Sequence, residues 1–167
     1  RLPYGQGPVL SDYARSGFDR GHMSPNGDMP DRESQHESFA LTNMVPQDPN
    51  NNRHLWAGIE TATRNMAEQA SEAYVVTGPA FLGNVSRIGN VAVPNYLWKA
   101  VYLPRLGGPG GSAAAWITPN AAGKAYEVVS IEELTRRVGV DPFPAIPVYV
   151  KSIAARFPKP RERRQRR

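Results

Sequence analysis

The 167-residue chain has no cysteine, which excludes a disulfide framework and any thiolate metal site. That lack suits every compartment and so places the protein in none. Nor is there a run approaching the ~20 apolar residues of a membrane span, and we expect no membrane partner. The chain shows no internal repeat and no clear linker before its last ten residues. Histidine is scarce, three in all. Surplus charge is missing from most of the chain as well. Residues 158–167, PKPRERRQRR, hold six of the 20 basic and one of the 15 acidic groups, hence the entire net charge of +5. The remaining residues, 1–157, carry 14 of each sign and are neutral. This excludes a generally basic surface, so a polyanion would have to be met by local charge. The tail reads as a solvated, disordered arm adding non-specific phosphate affinity. Because the chain opens at Arg1 and no charged-then-apolar leader precedes the fold, we expect a processed or truncated piece whose export signal is out of view.

What is present describes one ordinary globular domain, 40% apolar and 21% charged, long enough to bury a core. The opening RLPYGQGPVLSDYARSG is punctuated by glycine and proline and reads as loop. SFALTNMVPQ (38–47) has strand-like content ending at Pro46. DPNNN follows, rich in turn and N-cap residues, so a helix is expected from about Asn50 to Arg53. Leu55, Ile59, Ala62, Met66 and Ala70 then recur at three- and four-residue steps, an amphipathic helix running to about Ala73. AYVVTGPAF (73–81) reads as a buried strand stopped by Gly78-Pro79. VAVPNYLWKAVYL (91–103) and SAAAWITPN (112–120) read as two strands joined by a flexible tip, PRLGGPGGS. Ser130, with Glu133 three residues on, opens a short helix that Gly139 closes. The class is α+β, with a central, mostly antiparallel sheet flanked by helices.

Chemistry gathers in the first seventy residues. GFDRGHMSP (17–25) places Asp19, Arg20, Gly21 and His22 in succession. Gly21 lets backbone approach closely, and Arg20 is suited to phosphate. On the expected helix Asn52, Trp56, Glu60 and Arg64 follow at four-residue steps and line one side. Taken alone, that column is a surface Glu60–Arg64 salt bridge beside a core tryptophan. It gains meaning only if something reactive, such as His22, faces it. His36 reads as part of a solvated loop, and His54, in the first helical turn two residues from Asn52, as facing away from any metal held there.

DRGHMSP together with LTNMVPQDPNNNRHLWAGIETATR resembles the DNA/RNA non-specific endonucleases of the ββα-metal fold, the family of Serratia nuclease and mitochondrial endonuclease G. The resemblance is dense over residues 17–64 and continues loosely through YVVTGPAF, AWITPN and YEVVSIEELTRRVGVDPFP. It implies a ββα-metal nuclease domain over residues 1–157. It also implies a Mg²⁺-dependent, sugar-non-specific endonuclease that hydrolyses DNA and RNA to 5′-phosphate ends, with Mn²⁺ as a substitute metal. Position by position it makes His22 the general base and Asn52 the one direct metal ligand. Glu60 would hold metal-bound water, Arg64 and Arg20 would contact phosphate, and Asn43 and Asp19 would support the site. The family's upstream arginine has no secure counterpart here, Arg15 being a candidate. Beyond nucleic acid, an inhibitor protein or a second copy of the chain are the partners it leaves open. The setting it favours is an exported protein of bacterial origin. The chemistry agrees: Mg²⁺ commonly binds through one or two protein oxygens plus substrate phosphate, and a neutral imidazole takes a proton from water near pH 7. Two rivals stand beside this reading. An HNH-type nuclease would carry a second metal-binding histidine late in the helix, where this chain has Glu60 and Arg64. A non-catalytic binding domain would have no need of His22, Asn52 and Glu60 together.

Overall fold

The computed structural model of the chain describes residues 7–161. Helix α1 (Leu10–Tyr13) leads into strand β1 (Asp19–His22). After a 3-10 turn at Asn26–Asp28 comes helix α2 (Arg32–Glu37), whose first turn is capped where the Asp31 carboxylate accepts from the Ser34 N–H at 2.8 Å. His36 is therefore exposed on a short helix rather than in a loop. A second 3-10 turn, Leu41–Asn43, precedes strand β2 (Met44–Gln47). The expected strand over 38–47 is thus cut to its last four residues, because Ser38 caps α2 and Leu41–Asn43 coils. Strands β1 and β2 pair antiparallel, with Gly21 opposite Val45 and His22 opposite Met44. Gly21 is needed there, since a Cβ would overlap the side chain of Gln47.

The chain then turns into its long helix. Asp48 accepts from the Asn51 N–H at 2.9 Å, as an N-cap does, and Pro49 suits a helical first turn. Residues Asn51–Trp56 form a π-helical turn that passes into helix α3 (Ala57–Ala70). The Asn51 side chain donates to Thr118 Oγ1 at 3.2 Å and to the Pro119 carbonyl at 3.1 Å, while Asn120 donates to the Pro46 carbonyl at 2.9 Å. These bonds fix the start of the helix to the end of a strand far along the chain. The helix stops at Ala70, short of the expected Ala73, because Ser71 adopts a left-handed conformation (φ 61°).

Strand β3 (Tyr74–Ala80) opens the main sheet, and the small strands β4 (Arg87–Ile88) and β5 (Val91–Ala92) form a separate hairpin. The strand expected from residue 91 therefore begins only at Tyr96. Strand β6 (Tyr96–Leu103), strand β7 (Ser112–Pro119) and strand β8 (Glu127–Val129) complete a four-stranded antiparallel sheet in the order β3-β6-β7-β8. Gly78-Pro79 does not stop β3: as an edge strand it tolerates proline, and the missing Cβ of Gly78 makes room for the Trp98 indole. Its start is not buried either, since Tyr74 and Val75 are exposed. Helix α4 (Ile131–Val138) begins at Ser130, whose side chain accepts from the Glu133 N–H, and ends at left-handed Gly139. Helix α5 (Val148–Lys151) is the last element.

Each face of the main sheet carries its own core. Ile59, Trp56, Met66, Leu97, Val101 and Trp116 pack between the sheet and α3. Trp98, Ala100, Ile117, Ile131, Leu134 and Phe143 fill the opposite face under α4. Past α5, Phe157 meets Trp116 at 4.4 Å, and the chain runs on beside α3 until a side chain at Gly58 would meet the Arg161 carbonyl at 2.8 Å. Residues 158–161 of the expected solvated arm thus lie along the helix, and 162–167 lie outside the described residues. Among the described residues no helix is long and apolar enough to cross a membrane.

Candidate active site

The β1–β2 pair and the π turn of the long helix converge on His22. Two pockets share this residue and Asn52. One, of about 460 Å³, is walled by His22, Asn26, Gly27, Asn52, Glu60 and Arg64. The other, of about 550 Å³, lies toward Tyr13, Asp19, Arg20, Phe39 and Met44. So the column Asn52, Glu60 and Arg64 does face the histidine, while Trp56 turns into the core at 1% exposure.

The ring of His22 has a defined orientation. Its Nε2 is buried and makes no hydrogen bond, and Nδ1 has no partner among the described residues and is not enclosed. Of the two ring nitrogens, Nε2 is thus the enclosed one. Phe39 meets the ring edge-on, with centroids 4.9 Å apart at 82°. Burial first, and Arg20 second, hold the His22 pKa below its ordinary 6.5, so the ring is a neutral base at neutral pH.

Asn52 is aimed by a chain of bonds. Its Nδ2 donates to Asp19 Oδ2 at 2.9 Å, and Asp19 also accepts from Arg53 at 2.8 Å (Nε) and 2.6 Å (Nη2). A carboxylate only accepts, so the amide must present its NH₂ to Asp19, and its oxygen is left free for the pocket. Burial alone would raise the Asp19 carboxyl, but the bonds from Arg53 and Asn52 outweigh it and hold it below the usual range. Asn43 works at the back of the site. It accepts from the Ser24 N–H at 2.9 Å and donates to the Ser24 and Ser38 carbonyls at 2.8 Å each, tying the turn after His22 to the approach to β2.

The family model for DNA/RNA non-specific endonucleases matches residues 1–148. The chain belongs to the DNA/RNA non-specific endonuclease family. It is 40% identical over 128 residues to Nuclease C1 of the fungus Cunninghamella echinulata, covering 68% of this chain and 50% of the relative. It is 36% identical over 146 residues to a nuclease of Nostoc sp. (83% and 52%), and 33% identical over 156 residues to the mitochondrial nuclease EXOG of Danio rerio (81% and 45%). The chain spans about half the length of these curated relatives. Among solved structures, a chain of the EndoG/EndoGI complex superposes with a TM-score of 0.75 at 27% identity, covering 86% of this chain and 66% of that one. The β1–β2 pair followed by the long helix is the ββα unit of the family, and the α+β class with a mostly antiparallel sheet holds. The relatives span mitochondrial and bacterial proteins.

The Glu60–Arg64 salt bridge does not form: Arg64 Nη1 donates to Asp28 Oδ1 at 2.8 Å and Nη2 to Thr61 Oγ1 at 3.2 Å. Asp28 sits in the 3-10 turn that the sequence hides, and it competes successfully because it approaches from across the pocket. Arg20 is exposed at the mouth of the second pocket. Arg15 is exposed in a left-handed conformation (φ 57°) and lines neither pocket. His54 is half-buried and also lines neither. Sequence reasoning missed Arg53, Asp28, Phe39 and Lys99. Only Lys99 left a signal, as the one charge inside the otherwise apolar strand YLWKAVYL.

Glu60 is half-buried at the pocket wall. Burial pushes its carboxyl up, Lys99 and then Arg64 pull it back, and Asp28 pushes it up again. The indole N–H of Trp56 adds a last, weaker pull without reaching hydrogen-bond geometry. The donors fit a hard divalent cation: a free amide oxygen on Asn52, a carboxylate on Glu60, and open volume for water between them.

Proposed function

We propose that the chain is a Mg²⁺-dependent endonuclease that hydrolyses DNA and RNA to 5′-phosphate ends. One juxtaposition carries the reading: His22 and Asn52 line the same pocket, and the bond to Asp19 leaves the Asn52 oxygen free. Asn52 would be the direct metal ligand, and Glu60 would hold the metal through water. Magnesium, when bound, would neutralise charge on the scissile phosphate and the departing 3′-oxygen. His22 Nδ1 takes the proton from the attacking water, which its depressed pKa permits at neutral pH. Arg64, half-buried and steered by Asp28, offers its guanidinium to the phosphate as charge develops. Arg20 meets the neighbouring backbone from the second pocket. Asp19 and Asn43 keep Asn52 and the His22 turn in register. No group here reads a base edge, and phosphate contacts position without specifying sequence. Water, not the ribose 2′-hydroxyl, is the nucleophile, so both nucleic acids are substrates.

Conversion of supercoiled plasmid and of a folded RNA in Mg²⁺, with EDTA as control, tests the reading. Both substrates should be cut, Mn²⁺ should replace Mg²⁺, and the ends should be ligatable 5′-phosphates. Binding without cleavage would favour the non-catalytic rival. As part of the same reading, the basic residues after Arg161 add phosphate affinity, so trimming at residue 162 should leave kcat intact and flatten the salt dependence of binding. A protein inhibitor, of the sort EndoG meets in the EndoG/EndoGI complex, and an exported bacterial setting belong to the same proposal. Pull-down with purified candidates and assay of culture supernatant test them.

A further inference from the structure

Strand β6 puts one charge into the packed layer between the main sheet and α3. Alternation along the strand places Leu97, Lys99 and Val101 on the same face, and Leu97 and Val101 pack with Ile59 and Trp56 of the helix. Lys99 is 1% exposed, so its stem has no route for the ammonium to reach solvent, and lysine is almost never so buried unpaired. Its Nζ donates to Thr77 Oγ1 at 2.6 Å, directly across on β3, and lies 5.4 Å from the centroid of the Trp56 ring. Neither is an anion. The carboxylate acting on it most strongly is Glu60, with Asp28 second, and Lys99 is in turn the strongest cationic influence on Glu60. Trp56 and Glu60 stand four residues apart on the long helix, so the ring that the ammonium approaches is about one turn from the carboxylate, although no ion pair joins Lys99 to Glu60 directly. Arg64, the other cation within reach of Glu60, is bound to Asp28 instead.

We propose that Lys99 is a positioning residue of the nuclease site: its buried ammonium, anchored by Thr77 and the face of Trp56, acts on the Glu60 carboxylate through the Trp56 turn of the helix and favours its orientation at the wall of the metal pocket. This rests on the role proposed for Glu60. A lysine on a central strand does this better than a surface cation, because strand and hydrogen bond leave it one position and no competing water.

The test is Mn²⁺ binding to the metal-free protein, followed by electron paramagnetic resonance without substrate, beside the ¹³C carboxyl resonance of Glu60, assigned by its loss in Glu60→Gln. Glu60→Gln should weaken Mn²⁺ binding, and Lys99→Met should weaken it by about tenfold or more, the scale of outer-shell partners of metal ligands. The double variant should lose no more than either single one. Lys99→Met should also move the Glu60 resonance, which a change in packing elsewhere would not. Should Lys99→Met fail to fold, Thr77→Val removes only the anchoring hydrogen bond and should give both effects at smaller amplitude. Weakened binding in Glu60→Gln with unchanged binding in the Lys99 and Thr77 variants, or an unmoved Glu60 resonance, overturns the proposal and leaves the role of Glu60 standing. Unchanged binding in Glu60→Gln overturns that role, and the proposal with it.

Discussion

Strands β1 and β2 are only four residues long and pair with each other alone, whereas β6 and β7 run eight residues each and are covered by apolar side chains on both faces. The small pair adds polar ties to the burial of Met44 and Pro46 and the part-burial of Val45: Asn43 across its open end, Gln47 bonded to Asn51 at 2.9 Å, and Asp19 bonded to the helix. The large sheet is held by tryptophans, alanines and branched aliphatics. The two regions therefore divide the work. The small ribbon and the π turn carry His22 and Asn52, the groups proposed to react, and the sheet supplies most of the burial that stabilises the domain. A π turn at the join fits that division, since such turns bond over one extra residue and recur at functional sites.

The sharpest break of the comparison lies in the ribbon. His22→Ala should cut kcat by about 10²–10⁴-fold, the usual loss with a general base, and Asn52→Ala should abolish cleavage at ordinary Mg²⁺. Both should leave the urea unfolding midpoint nearly unmoved, because neither side chain belongs to a core. The reverse is expected in the sheet layer. Ile59→Ala, fully buried between α3 and the sheet, should cost about 2–5 kcal/mol in urea unfolding, while the folded fraction keeps its kcat. Equal loss of activity per folded molecule would show that the two regions are not separate.

Asp19→Ala should fall between these. It frees the Asn52 amide to rotate and leaves Arg53 unpaired, so activity should drop by about 10–100-fold with most of it recovered at high Mg²⁺, as for an outer-shell partner. The smallest effect is that of pH. With its pKa below 6.5, His22 remains a free base into mildly acidic solution, so kcat/KM should hold its plateau to a lower pH than an ordinary histidine allows. Stability carries the matching sign. Between the depressed native value and 6.5 the unfolded chain binds more protons, so stability falls as pH drops through that window. His22→Gln should remove that slope, measured as the unfolding midpoint against pH.

The spacing of Asp19, Arg20 and His22 from Asn52, Glu60 and Arg64 was legible in the sequence, as were the long helix, the β6–β7 hairpin and the Ser130 and Gly139 limits of α4. Those signals are local. Period, capping chemistry and motif spacing act within a few residues and survive without knowledge of the rest of the chain. The choice of partners was not legible. Arg53 reaches Asp19 over 34 residues, Arg64 leaves its helical neighbour for Asp28 over 36, and Lys99 finds Thr77 over 22. An ionic side chain takes whichever counter-charge the fold brings nearest, and burial decides how strongly it holds. Composition could say that residues 1–157 carry equal numbers of acids and bases, but only the packing of α3 on the sheet decided that a lysine would be buried beside the Trp56 ring, about one helical turn from Glu60.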